Sequence, residues 1–234
     1  MSTKFRIFFI FLLAAWMQLT VSAAAGPEVD PYPALVLPVY PDAYDIENMA
    51  NRSKGTRAVI YKIQTNFPAA EVLEFYDSTL NGSGWEPSFE TCQRHWASLD
   101  DGSIKKGQPA RQMFTSWQHP QYKLQMSLLL EYHGPATSGL DEVHVQCRLK
   151  PQLDTTRREK FVARLKAAGQ YRTFAEKLEA YRTPDGEIDP ALIDRDIRNH
   201  RAGDIIIEYR RFLGEEQQQI EKIIRRVNES RQRS

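Results

Sequence analysis

Cysteine is nearly absent from this 234-residue chain, which holds only Cys92 and Cys147. Two residues so far apart do not give the close thiolate spacing of a structural metal site. Long apolar runs are lacking as well. The one continuous stretch, Ile7 to Met17, has about eleven residues against the roughly 20 that a spanning helix needs. No later segment is long and apolar enough, so no membrane span is expected once this stretch is removed. Charge of one sign is missing too: 31 Lys and Arg stand against 30 Asp and Glu. That balance argues against a nucleic-acid partner held by bulk charge. No nucleotide-cradling glycine loop or catalytic triad appears, and no cofactor is expected.

What the chain does have begins at its N-terminus. Lys4 and Arg6 precede the apolar run, and small residues follow it, suited to cleavage after Ala23 or Ala25. Residues 1–25 therefore read as a signal peptide, and the mature protein as periplasmic or secreted. No Cys follows the cleavage region, so the usual lipid-attachment site is missing. Export implies an oxidising compartment, where a Cys92–Cys147 disulfide is the natural expectation. Its loop of 55 residues would contribute about 4 kcal/mol in the chain-entropy account. The competing readings are two separate thiols or a reactive cysteine, for which only His95 lies near Cys92 in sequence.

Charge divides the mature chain unevenly. Residues 26–150 carry 11 basic and 15 acidic side chains, whereas 151–234 carry 18 and 15. We read an α+β domain over 26–152 with a proline-rich lead, then a helical extension over 153–234. In the lead, Pro27, Pro31, Pro33, Pro38 and Pro41 favour extended backbone, with Ala34–Tyr40 as a candidate edge strand. Val59, Tyr61, Ile63 and Thr65 then alternate in strand period. The next stretch reads as a helix, with Asn66 as cap, Pro68 in the first turn, and Val72, Phe75, Tyr76 and Leu80 on one face. Gly82 or Gly84 ends it, and Trp85 follows where the chain turns back. Phe75, Tyr76 and Trp85 are thus expected to be a structural aromatic core.

Further strands are expected in "QRHWASL", "RQMFTSWQH", "KLQMSLLLEYHG" and "EVHVQCRLK". The fold class is then α+β: an antiparallel sheet of four to five strands with one helix packed on a face, followed by a C-terminal all-helical extension. Within that extension, capping boxes are expected at Thr156/Glu159 and Thr173/Glu176, and a helix capped by Asp189 and stopped by Gly203. The last helix carries a heptad stripe of Ile206, Leu213, Ile220 and Val227, with Tyr209 and Ile223 between them. Glu216 and Ser230 interrupt the stripe. Packing on the protein's own domain is set against self-association through 205–231.

Tyr40, Pro41 and Ala43, the Phe75–Tyr76 pair with Leu80, and Gly84–Trp85 together resemble a small α+β domain of bacterial exported proteins and lipoproteins. The resemblance covers roughly residues 36–150. It implies the fold and export, and carries no established activity.

Two constellations bear on chemistry. Ser83 in "GSG" superficially resembles a nucleophile elbow, but a helix precedes it and the spacing is wrong. The catalytic residues are accordingly unknown. In the last hairpin, Glu131 and His133 fall on the face opposite Leu130 and Tyr132, and His144 lies across from Glu131. These three are metal-ligand candidates, weighed against an ordinary polar sheet face completed by Gln125, Ser127, Gln146 and Arg148. The expected function is that of a non-enzymatic cell-envelope protein that binds an envelope protein or a small ligand. The rival is a metal-dependent or acid–base hydrolase using Glu131, His133 and His144.

Overall fold

A computed structural model describes residues 29–66, 69–88, 93–98, 111–135 and 140–232. The expected signal peptide, Phe67–Pro68 and Cys92 lie outside the described residues. The chain divides into two compact units, one of residues 28–154 with 216–234, the other containing residues 155–215.

The first unit is built on an antiparallel sheet. Its strands are β1 (Tyr44–Asn51), β2 (Thr56–Thr65), β3 (Glu86–Pro87), β4 (Gln93–Ser98), β5 (Arg111–His119), β6 (Leu124–Pro135) and β7 (Asp141–Pro151). Six of them lie in the order β1-β2-β7-β6-β5-β3, and β4 pairs with β5 as well. The sheet is therefore larger than the four to five strands expected. The extra edge strand, β1, escapes a periodicity reading because its residues, YDIENMAN, do not alternate in burial and its register shifts between Tyr44 and Glu47. Such a charged, irregular strand suits an edge, where it discourages further pairing. Ala34–Tyr40 is not a strand. It runs as irregular backbone that buries Leu35 and Leu37, and Arg57 bonds the Leu35 carbonyl and pairs with Asp30 at 3.2 Å.

Alternation in β2, β6 and β7 sends Val59, Tyr61, Ile63, Leu124, Met126, Leu128, Leu130, Val143, Val145, Cys147 and Leu149 to one buried face. Helix α1 (Ala70–Asn81) covers that face with Val72, Tyr76 and Leu80. Tyr76 lies 3.0 Å from the Tyr61 hydroxyl and donates to the Pro38 carbonyl at 2.9 Å. It also stacks on Trp117, whose indole donates to Asp77 at 3.1 Å. The helix starts later than expected: Ala69, not Asn66, is its first flanking residue, held at φ 56° while its N–H bonds the Asn66 carbonyl. At the other end Gly84 takes φ +80°, a conformation an L side chain rarely adopts. Trp85 is thereby turned into the core.

The second unit packs α2 (Thr156–Ala167), α3 (Tyr171–Glu179), α4 (Pro190–Arg198) and the first half of α5 (Asp204–Gln232) around Phe161, Leu165, Phe174, Tyr181, Ile193, Ile206 and Phe212. The α2 cap is Thr155, one residue before the one expected, with its hydroxyl 2.5 Å from Glu159. The second box does not form, because Thr173 lies inside α3. Asp189 caps α4 by accepting from Ala191 N–H at 2.8 Å. That helix ends before Gly203: Asn199 closes it, and His200 takes the left-handed position at φ 56°.

The terminal helix is about 43 Å long at 1.5 Å per residue. The expected extension of 153–234 is thus shared: Ile206 and Phe212 belong to the helical core, whereas Ile223 and Val227 belong to the sheet core. Of the apolar stripe, Ile206, Ile220, Ile223 and Val227 are buried, and Tyr209 and Leu213 are half-buried.

Candidate functional site

Opposite the buried face, the same strands present a polar surface. Cross-strand pairing sets Tyr44, Lys62, His144, Glu131 and Gln112 in a row, one from each of β1, β2, β7, β6 and β5. Glu131 faces His144 directly, as the hairpin phase predicts. His133 joins them through an irregularity: the register shifts between Tyr132 and Gly134, so His133 is an extra residue on β6. Bulges of this kind re-aim side chains. Here the His133 ring comes to lie over His144, with centroids 4.0 Å apart. One ligand atom from each of Glu131, His133 and His144 falls within 4.8 Å of the others. A tetrahedral zinc ion with bonds near 2.1 Å sets donors about 3.4 Å apart, which small rotamer changes would reach.

Supporting groups hold the three in place. Gln112 donates to Glu131 at 2.7 Å. His144 Nε2 lies 2.8 Å from Glu142, which accepts a second bond from the Tyr44 hydroxyl at 3.0 Å. Engagement of Nε2 leaves Nδ1 of His144 for a metal, the arrangement in which an outer carboxylate orients a ligating imidazole. Among the described residues His133 Nε2 is buried without a hydrogen bond, 4.0 Å from Glu131. Sequence reasoning missed Glu142, Tyr44 and Gln112. Glu142 was within reach, being two residues before His144 on the same strand face, but Tyr44 depends on β1, which has no readable period.

Burial acts on both charge types. It raises the Glu131 carboxyl, against the Gln112 bond and the attraction of His144. Burial and then the neighbouring His144 lower His133 below its ordinary 6.5, with Glu142 opposing and Lys62 adding to the effect. The bond from His144 holds Glu142 below the usual carboxylate range. At neutral pH the His133 imidazole is therefore uncharged and able to ligate. Between its lowered value and 6.5 the unfolded chain carries the extra proton, so stability falls as the pH drops through that window. We expect the denaturation midpoint of metal-free protein to decline from pH 7 to 5, and less steeply in His133→Gln. Equal slopes in both proteins would show that His133 does not contribute.

The other sequence candidates fall elsewhere. Tyr76 and Trp85 are buried and Phe75 half-buried, all in the sheet core. Ser83 donates to the Thr79 carbonyl at 3.2 Å at the end of α1, which suits helix termination. Among the described residues Cys147 is a free, fully buried thiol, pushed up to about 12 by desolvation. Its expected partner, Cys92, lies outside the described residues. Thiol titration in denaturant without reductant tests the expected Cys92–Cys147 bond: no free group per chain is the expected result, and two would contradict it.

Among the described residues no helix is long and apolar enough to cross a membrane. No family model, curated protein or solved structure matches the chain.

Proposed function

We propose that the protein is an exported, non-enzymatic binding protein of the cell envelope, whose sheet face holds one divalent transition-metal ion through Glu131, His133 and His144. The convergence of three ligand atoms within 4.8 Å carries this reading. Two imidazoles and a carboxylate suit zinc and its neighbours better than calcium or magnesium, which prefer oxygen-only sites. Export is supported by Lys4, Arg6, the short apolar run and the small residues after it.

Glu131 separates binding from stability. Burial raises its carboxyl and so disfavours the ionised form, and at neutral pH Glu131→Gln relieves that cost. The amide oxygen can still accept from Gln112. Metal-free Glu131→Gln should therefore melt at or above the parent while losing zinc affinity. A variant that melts lower and binds zinc as well as the parent would refute the assignment.

Three protein ligands also leave a fourth position for water, as in catalytic zinc sites, and this favours hydrolysis as a second reading. Zinc-dependent cleavage of a nitrophenyl ester by the parent, lost in His144→Ala, would select it. Zinc binding without such turnover would select the binding protein.

A further inference from the structure

The same sheet face carries a second feature farther along β7. His144, Gln146, Arg148 and Lys150 share this face by alternation. Arg148 lies four residues, about 14 Å, from His144 at the rise of a strand. It is half-buried. Its cross-strand neighbours are Ala58 on β2 and buried Ser127 on β6, and Gln125 lies opposite Lys150. None of these is acidic. Among the described residues the Arg148 side chain makes no hydrogen bond or ion pair, and burial disfavours its charged form. Arg57, by contrast, is paired with Asp30, and Arg210 with Asp194.

A guanidinium stays charged in a protein, so partial burial without a counter-charge is unfavourable. Lys150, exposed two residues further on, adds positive charge on the same side instead of relieving it. Hydroxyl and amide groups of Ser127 and Gln125 beside the two cations supply donors suited to an oxyanion. We propose that Arg148 and Lys150 form an anion-binding subsite that takes a phosphate or carboxylate group, with Arg148 as the planar, two-pronged donor. The subsite stands independently of the metal reading, since neither residue belongs to the cluster around Glu131.

The test uses the metal-free, mature full-length protein in low-salt buffer, titrated calorimetrically with inorganic phosphate and, separately, with acetate. The parent should bind at least one of them saturably and gain melting temperature with its concentration. Arg148→Gln should weaken that binding tenfold or more and lose the thermal gain, yet melt no lower than the parent without anion, because it removes an uncompensated charge. Glu131→Gln should bind the anion like the parent, which separates failure here from failure at the metal cluster. Absence of saturable binding by the parent, or equal affinity in Arg148→Gln, overturns the proposal.

Discussion

Truncating Trp85 to Ala should destabilise the sheet unit by about 3–5 kcal/mol, the usual range for removing a large aromatic from a packed core. Trp85 is only 5% exposed and belongs to the cluster formed by β2, β5, β6, β7 and α1. Its ring meets His119 edge-on at 5.2 Å, and His119 in turn stacks on Tyr122 at 4.4 Å. The backbone is committed to this placement as well: Trp85 N–H bonds the Leu80 carbonyl, and a Cβ added at Gly84 would stand 3.2 Å from His119. Refilling the space would require packed neighbours of the same cluster to shift, which is why the full truncation cost is expected. Against an ordinary domain stability of about 5–15 kcal/mol the loss is large. It should lower the melting temperature by roughly 6–20 °C for a unit of this size. A variant melting within a degree or two of the parent would mean that Trp85 is a recognition residue and not part of the core.

The fold is legible where burial imposes a period. Val59, Tyr61 and Ile63, then Val143, Val145, Cys147 and Leu149, show it plainly, and all are buried. The hairpin phase also places Glu131 opposite His144, because one buried face fixes the register. Where burial does not act on alternate residues, the signal is lost. β1 is mostly exposed along its centre and was not readable. Leu35 and Leu37 alternate like a strand but are buried by a loop. Helix ends failed for a different reason: Ala69 and His200 adopt left-handed backbone that the sequence would assign to Gly or Asn. The bulge at His133 has no local signature, yet it brings the second imidazole over the first.

Replacing His144 with Ala should have the largest effect on metal affinity. His144 is the member that both faces Glu131 across the ladder and is oriented by Glu142 and Tyr44. Removing an outer partner of a metal ligand typically costs about 10–100-fold in affinity, so removing the ligand itself should exceed about a hundredfold. Glu142→Gln should fall within that smaller range. Because His144 is half-buried on the polar face, its truncation opens no cavity in the apolar core and should leave the melting temperature of metal-free protein within a few degrees.

Zinc titration of metal-stripped mature protein, followed by calorimetry at two pH values, tests the central claim most directly. One equivalent should bind per chain, more weakly at pH 5.5 than at pH 7.5 because protons compete with the metal for its ligand atoms, and binding should disappear in His133→Ala and His144→Ala proteins that still fold. No stoichiometric binding by the parent, or binding that survives both substitutions, would contradict a metal site on this sheet face.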